Sequence, residues 1–277
     1  MTRVTTDREL FDLELGLLLE AIYQRYRHDF RGYSRPTLRR RLTQALASLG
    51  CESLSELQHQ LLRDPSVFAS VLGYLTVQVS DIFRDPAFYA ALRARVLPVL
   101  ATYPSFKLWV AGCGGGEEVY SLAILLEEAG LRDRAIIYAT DVSAAALRAA
   151  ELGVYALPRA QEFSRNYLQS GGTGSLSDYY VAAYDKIAFD RRLRDNVVFS
   201  DHSLATDHVF AEVHLITCRN VLIYFDQALK DRALGLFHDS LVRKGFLGLG
   251  SKESLRSSVH RDSFTELDRD NRLYERN

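Results

Sequence analysis

The feature that most constrains this chain is a glycine-rich stretch, LWVAGCGGGEE, at Leu108–Glu118. An apolar run leads into three alternating glycines, Gly112, Gly114 and Gly116, and two glutamates and a helix-like run follow. Glycines at this spacing let the backbone turn sharply after a strand and let a ligand lie close against it. The stretch therefore predicts a strand, a ligand-binding turn and a helix in succession.

A second apolar run, AIIYAT, ends at Asp141. A carboxylate at the tip of the second strand can accept hydrogen bonds from a ribose diol. A dinucleotide fingerprint needs a third glycine where this chain has Glu117, and a carboxylate there would repel a pyrophosphate. S-adenosylmethionine instead carries a positive sulfonium and a positive ammonium, which suit an acid. We expect this cofactor to contact Gly112, Gly114, Glu117 and Asp141. The alternative for Glu117 is a purely structural role, because acids at a helix N-terminus are stabilised by the helix dipole without any ligand.

Composition bounds the remaining possibilities. The chain has 277 residues, of which 47% are hydrophobic, enough for a sizeable core in one or two domains. The net charge of −1 indicates neither nucleic acid nor membrane binding, and no apolar stretch approaches the roughly 20 residues of a membrane span. Three widely spaced cysteines favour a reducing cytoplasm, and scattered histidines give no metal-ligand spacing.

Two regions of different pattern predict two domains. Residues 1–76 read as helices, with apolar residues at helical spacing and helix starts near Ser53 and Asp64. Residues 77–277 alternate apolar runs with helical segments, which is typical of an α/β domain with a parallel sheet. Within it, residues of about 163–202 hold the short runs DYYVAAY, DKIAFD and DNVVFS, which predict a small inserted antiparallel β-subdomain.

Polar residues follow a later predicted strand in the run ITCRNVLIYF. Ligands of open α/β sheets bind beyond the carboxyl ends of strands, so Arg219, Asn220 and Tyr224 are expected near the reacting methyl group. A salt-bridged core arginine is the alternative for Arg219, and Tyr224 alone is ambiguous because half-buried tyrosines are common.

A basic helix is expected at residues 22–45, a run that holds seven arginines and one aspartate and has a net charge of +6. The absence of lysine from the run favours recognition of carboxylate or phosphate, although a charge run is more often a solvated face. Arg39, Arg40 and Arg41 are consecutive, and three successive helical positions fan across about 200°, so at least one faces outward.

Together these motifs resemble the chemotaxis-receptor methyltransferases, the CheR family. The resemblance covers residues from roughly 10 to 275 and rests on the motifs FRGYSRPTLRRRL, VSDIFRDPAF, LWVAGCGGGEEVYSLA, ATDVS, GVYALP, ITCRNVLIYFD and GFLGLGSKESL. It implies a class I methyltransferase-like, Rossmann-like sheet domain with the small inserted β-subdomain, preceded by an all-α N-terminal domain. It also implies methylation of glutamate carboxylates on the cytoplasmic helices of chemoreceptors, without nucleic acid or membrane insertion.

The resemblance also implies roles for residues. Its S-adenosylmethionine contacts fall on Gln78, Ser80, Arg84, Glu117, Asp141, Ser203, Leu204, Arg219 and Asn220. Catalytic positions fall on Tyr224, Arg219 and Arg84, and the receptor-binding arginine falls on Arg41 or its neighbours Arg39 and Arg40. Of these last three arginines, the resemblance favours Arg41 as the residue that faces outward. Arg84 would anchor the cofactor's carboxylate, Glu117 its ammonium and Asp141 its ribose.

Some positions depart from the family pattern. Gln78 and Ser203 stand where asparagine is usual, Ile82 stands for phenylalanine, and Gly114–Gly115 replaces Ser-Thr. These departures bear on the adenine contacts rather than on the cofactor class. Two other functions stay open from the sequence: a methyltransferase acting on a small molecule, which would not need an arginine-rich helical domain, and a catalytically idle, cofactor-sensing regulatory module.

Overall fold

The computed structural model describes residues 6–76 and 80–277, which form two compact units. The first unit runs from Met1 to Val77 along the chain and also includes the segment Tyr224–Leu229. The second unit comprises Gln78–Ile223 and Lys230–Asn277. The sequence-based division placed the short segment in the α/β domain, whereas its packing assigns it to the helical unit.

Helices form the first unit, as the sequence predicts. They are α1 (Asp7–Tyr26), α2 (Arg35–Leu49), α3 (Leu54–Arg63) and α4 (Pro65–Leu75). The helix starts follow from capping chemistry, because the side chains of Ser53 and Asp64 accept the backbone N–H groups of Glu56 and Ser66. Their apolar faces meet in one buried core that includes Leu15, Leu18, Leu42, Leu57 and Leu61.

The basic run is not one helix. Arg27 adopts a left-handed conformation, with φ of 62°, at the end of α1, and α2 starts only at Arg35. Between the helices, Arg31 pairs with Asp29 at 2.8 Å and with Glu20 at 2.9 Å. The expectation of a continuous basic helix over residues 22–45 is therefore wrong, because the chain turns between two helices there.

The segment Tyr224–Leu229 is part of the first unit through backbone and ring contacts. The N–H of Ser34 donates to the carbonyl oxygen of Tyr224 at 2.8 Å. Tyr33 and Phe225 form an isolated antiparallel bridge, and their ring centroids are 4.9 Å apart. The helical unit is thus built from two separate stretches of sequence.

The second unit alternates strands with helices. Six further α-helices occur in the described residues: α5 (Pro86–Ala91), α6 (Leu97–Leu100), α7 (Glu117–Glu128), α8 (Ala144–Leu152), α9 (Ala160–Gln169) and α10 (Gln227–Ser240). The strands are β1 (Phe106–Ala111), β2 (Ala135–Asp141), β3 (Val154–Ala156), β4 (Tyr180–Ala183), β5 (Lys186–Phe189), β6 (Val197–Asp201), β7 (Val213–Cys218), β8 (Leu241–Leu249), β9 (Phe264–Asp268) and β10 (Leu273–Arg276).

Among the described residues, seven strands form the main sheet in the order β6-β2-β1-β7-β8-β10-β9. The first five strands in this order, β6, β2, β1, β7 and β8, run parallel. Strand β10 pairs antiparallel with β8 and β9. Strand β1 lies inside the sheet between β2 and β7, and buried Leu108, Trp109 and Val110 lie along it. The predicted α/β class, with a small antiparallel sheet and a preceding all-α part, is confirmed. The ends of β1, β2 and β7 share one edge of the sheet.

The small antiparallel sheet has the order β3-β5-β4. It differs from the predicted insert in three ways: β3 lies before residue 163, residues 160–169 are helical, and the run DNVVFS forms β6 of the main sheet, parallel to β2. The placement of that run in the insert was wrong. Strand β6 lies at the edge of the sheet and none of its residues is fully buried, so its short β-prone run resembles that of a surface ribbon.

No helix in the described ranges, 6–76 and 80–277, is both long enough and apolar enough to cross a membrane.

Candidate cofactor site

The turn after β1 is built from glycines that no other residue could replace without strain. Gly112, Gly114 and Gly116 have φ values of 74°, 53° and 90°. A Cβ on Gly112 would lie 2.6 Å from a methyl group of Val221, and one on Gly116 would lie 2.8 Å from the Cα of Ala150 in α8. The glycines thus serve both the turn and the close packing around it.

Asp141, at the end of β2, closes this turn. Its Oδ2 accepts the N–H of Gly114 at 3.0 Å, and its Oδ1 accepts the N–H of Ser143 at 2.9 Å. Burial raises the pKa of the Asp141 carboxyl, although these backbone N–H groups oppose the shift. The carboxylate predicted to bind the ribose is thereby fixed against the glycine turn.

Two acids begin α7 and are largely removed from solvent. Glu117 is 2% exposed; its Oε1 accepts Nη1 of Arg159 at 3.0 Å, and burial raises its pKa. Oε2 of Glu117 and Oε1 of Glu118 are buried, and neither has a hydrogen-bond partner among the described residues. Buried polar atoms are rarely left unpaired. Two unpaired carboxylate oxygens at one helix end fit a ligand that carries a positive charge.

We call Gly112–Glu118 together with Asp141 the cofactor cradle. Its residues all lie in the second unit, at the end of β1 and β2 and at the start of α7. The structure therefore brings together Gly112, Gly114, Glu117 and Asp141, as the sequence predicts.

Arg219 follows β7, and its side chain is 1% exposed. Its guanidinium pairs with Asp85 at 2.7 Å and Glu118 at 3.2 Å, donates to the carbonyl oxygen of Arg84, and lies 4.2 Å from the ring centroid of Phe88. These are the contacts of the salt-bridged arginine that the sequence left as an alternative. One of these contacts is with Glu118 of the cradle, so the salt-bridged arginine also lies beside the candidate cofactor site.

Ser80 and Arg84 precede α5, which starts at Pro86. Arg84 stands between two residues with positive φ, Phe83 at 52° and Asp85 at 56°. This conformation is unusual for residues other than glycine, and such strain is typical of positions under functional constraint. Within the described part of the chain, the Arg84 guanidinium has no ion pair. It can therefore take an anionic group such as a carboxylate.

The other predicted cofactor residues lie after β6 and β7. Ser203 accepts the N–H of Ala205 on its hydroxyl, and the carbonyl oxygen of buried Leu204 accepts Arg232. Asn220 has a φ of 62°, and its N–H donates to Glu253 at 3.0 Å. Gln78 lies outside the described residues.

Tyr224 is half-buried and belongs to the first unit, where its carbonyl oxygen accepts Ser34 as described above.

Sequence reasoning missed two charged residues of the second unit. Glu253 is 4% exposed and accepts the N–H groups of Asn220, Ile223 and Gly250, so it holds the turn after β7. Its signal was present, since it lies in the motif GFLGLGSKESL. Arg159, the partner of Glu117, lies 42 residues away, and no pattern links the two.

The first unit carries a basic groove, which we call the arginine surface. It is a cavity of about 970 Å³ lined by Arg8, Asp12, Arg35, Pro36, Arg39, Arg40, Thr43 and Gln44. Arg39 pairs with Asp12, whereas Arg35 and Arg40 are exposed. Arg41 is half-buried, and its Nε is shielded from solvent without a partner in the described chain. Arg40, rather than Arg41, is the outward member of the three, which corrects the expected orientation.

Comparison with known families gives two matches that together cover most of the chain. The family model described as CheR methyltransferase, SAM binding domain, matches residues 78–271. The model described as CheR methyltransferase, all-alpha domain, matches residues 13–76. S-adenosylmethionine as the cofactor is thereby confirmed, in agreement with the two carboxylate oxygens of the cradle that have no partner among the described residues.

Relatives of similar length support the same conclusion. "Putative methyltransferase Cher3" of Pseudomonas putida is 50% identical over 98% of this chain and 99% of its own length. A chemotaxis protein methyltransferase of Listeria monocytogenes is 31% identical over 82% of this chain and 84% of its own length. One of Vibrio parahaemolyticus is 30% identical over 79% and 80%, respectively.

Proposed function

This chain belongs to the CheR methyltransferase family, and from that premise we propose that it methylates glutamate carboxylates on the cytoplasmic helices of chemoreceptors. The observation that carries the proposal is the pairing of an S-adenosylmethionine cradle with a basic groove within one chain. Relatives that bear the name chemotaxis protein methyltransferase support the choice of substrate. The reaction would accordingly take place in the cytoplasm.

The chemistry asks little of acid–base catalysis. A glutamate carboxylate is ionised at neutral pH and is a competent nucleophile toward the methyl group that S-adenosylmethionine supplies when bound. The protein must align the carboxylate with that methyl group, and such positioning can lower the barrier by roughly 7–11 kcal/mol. The buried, hydrogen-bonded cradle is suited to this task because its parts are already fixed.

We assign the cradle residues to parts of the cofactor. Glu117, whose Oε2 has no partner in the described part of the chain, binds the ammonium group. Asp141 accepts hydrogen bonds from the ribose. The guanidinium of Arg84, which has no ion pair within residues 6–76 and 80–277, binds the carboxylate. Arg219 acts through its buried charge by holding Glu118 and Asp85 in place. Tyr224 holds the substrate glutamate through its hydroxyl.

The arginine surface is proposed to recognise the receptor. The family resemblance implies substrate helices that are acidic around their methylation sites, and the exposed guanidinium groups of Arg35 and Arg40 would attract such a surface. A small substrate would require no groove of this kind.

Transfer of tritiated methyl groups from S-adenosylmethionine to receptor-enriched membranes tests the proposal directly. We expect label in receptor bands that is released by mild base, because carboxylate methyl esters hydrolyse readily. Label that appears only in small molecules would favour the small-molecule enzyme. Cofactor binding without any transfer would favour the regulatory module.

Tyr224→Phe tests the substrate-side role within the same assay. We expect turnover to fall by roughly tenfold at saturating cofactor and receptor, since one hydrogen bond to a charged group is lost. The affinity for S-adenosylhomocysteine, measured by calorimetry, should stay within twofold of wild type. Equal turnover by both proteins would remove Tyr224 from the substrate site.

A further inference from the structure

Arg159 is the one charged group that reaches Glu117 from outside α7 among the described hydrogen bonds, and it does so from the short turn that precedes α9. It is not among the residues that the family resemblance marks. All of its contacts lie within the second unit.

The guanidinium of Arg159 is held from several sides. Its Nη2 pairs with Asp81 at 3.0 Å and donates to the carbonyl oxygen of Ser80. Its Cζ lies 4.6 Å from the ring centroid of Phe163. A planar fork fixed in this way has little freedom, so its Nη1 points at a defined position. That position is Oε1 of Glu117, at 3.0 Å.

The two carboxylate oxygens of Glu117 have different surroundings. Oε1 is taken by Arg159, while Oε2 is buried without a partner in residues 6–76 and 80–277. Arg159 also pairs with Asp81, so its single positive charge is shared between two carboxylates. The group of three therefore keeps a net negative charge that one cation at Oε2 would neutralise.

We propose that Arg159 is a positioning residue for the cofactor: it fixes Glu117 so that Oε2 is presented to the ammonium group of S-adenosylmethionine. Without Arg159, the carboxylates of Asp81 and Glu117 would face each other without an intervening cation. Burial already raises the pKa of Glu117, so loss of the guanidinium favours its neutral form, which binds a cation poorly. The inference rests on the proposed placement of the ammonium group at Glu117.

Binding of two ligands distinguishes a positioning role of Arg159 from a general role in stabilising the fold. S-adenosylhomocysteine carries the amino-acid end, whereas 5′-methylthioadenosine carries the same adenine, ribose and thioether without it. For Arg159→Met we expect calorimetry to show roughly tenfold weaker binding of S-adenosylhomocysteine, because a charge-assisted contact is degraded. Binding of 5′-methylthioadenosine should be unchanged. Arg159→Gln, which retains hydrogen bonding without charge, should behave in the same way and covers the case in which the methionine variant fails to fold.

Arg165→Met is the matched control, since Arg165 lies on α9 and makes an exposed pair with Glu162. It should bind both ligands as wild type does. Tighter binding of S-adenosylhomocysteine by the Arg159 variants would overturn the proposal, because Arg159 would then compete with the ammonium group. Equal weakening of both ligands would also overturn it, since Arg159 would then serve the fold alone.

Glu117→Gln distinguishes failure of this inference from failure of its premise. If that variant binds S-adenosylhomocysteine as tightly as wild type, the ammonium group does not lie at Glu117. None of these measurements uses a receptor, so they stand apart from the proposed methylation of chemoreceptors.

Discussion

The cofactor cradle and the arginine surface hold their charges in opposite ways. Glu117 of the cradle is 2% exposed. Arg219, which pairs with the next cradle residue, Glu118, has a side chain that is 1% exposed. At the arginine surface, Arg35 and Arg40 are exposed. Charges out of water interact strongly and must be placed accurately, whereas exposed charges interact weakly and are screened by salt.

The difference indicates two modes of recognition. A small cofactor that is the same in every turnover can be bound by a fixed set of buried groups. A large acidic surface can be attracted by mobile exposed arginines, whose individual contributions are small. We therefore expect substitutions in the cradle to have large effects that are insensitive to salt, and substitutions at the arginine surface to have smaller effects that depend on salt.

The largest effect is expected from Gly116→Ala in the cradle. The new Cβ would lie 2.8 Å from Ala150 at a φ of 90°, so steric overlap and backbone strain add. We expect the free energy of unfolding in urea to fall by about 3 kcal/mol. Gly130→Ala is the control, because Gly130 has a φ of 65° with nothing within 4 Å, and should cost about 1 kcal/mol. Equal losses would show that contact with α8 is unimportant.

Asp141→Ala should weaken S-adenosylmethionine and S-adenosylhomocysteine alike, since both carry the ribose. Loss of hydrogen bonds to a charged acceptor predicts at least roughly tenfold weaker binding by calorimetry. The loss should be the same in low and in physiological salt, because the carboxylate is buried. Asp133→Ala, at an exposed position just before β2, is the control. Unchanged affinity in Asp141→Ala would remove Asp141 from the ribose site.

Charge reversal at the arginine surface should have a smaller effect. We expect Arg40→Glu to raise the apparent KM for receptor by roughly threefold to tenfold and to leave cofactor affinity unchanged. Arg41→Glu should affect KM less than Arg40→Glu, unless it unfolds the helix, because Arg41 is half-buried. Arg63→Glu, exposed at the end of α3, makes the same change in net charge and serves as control. An equal rise in all three would show that net charge alone matters.

The smallest effect concerns salt alone. Wild-type methylation of receptors at subsaturating receptor should fall by roughly threefold between low and physiological ionic strength, as screening shortens the reach of exposed charges. The affinity for S-adenosylhomocysteine should change by less than about twofold over the same range. If both respond equally, the contrast between the buried cradle and the exposed groove fails.

The sequence predicted the parts of the fold that depend on local pattern. Strands β1, β2 and β7 are apolar runs, and α7 follows the glycine turn as expected, because each segment has a clear period and clear ends. The edge strand β6 was misplaced since its exposed residues have no buried-strand signature. The basic run was misread because the left-handed turn at Arg27 leaves no mark in the arginine pattern.

The candidate site was predictable where one sequence motif contains both the turn and the residues expected to contact the ligand. The glycines and Asp141 could be identified because strand ends meet at one edge of a parallel sheet. The contact between Arg159 and Glu117 could not, since a pair 42 residues apart depends on tertiary packing. The same holds for the orientation of Arg41, because helical spacing alone does not reveal which of three neighbours the core will take.

The return of the chain at Tyr224–Leu229 has a consequence for synthesis on the ribosome. The N–H of Asp226 donates to the carbonyl oxygen of Gly32 at 2.8 Å, and Leu229 packs within about 3 Å of the position that a Cβ on Gly32 would take. These partners are separated by almost two hundred residues, so the four helices emerge long before their last packing segment is translated. At a translation rate of roughly 5–20 residues per second, the helical unit lacks this segment for on the order of ten seconds or more after its four helices are synthesised.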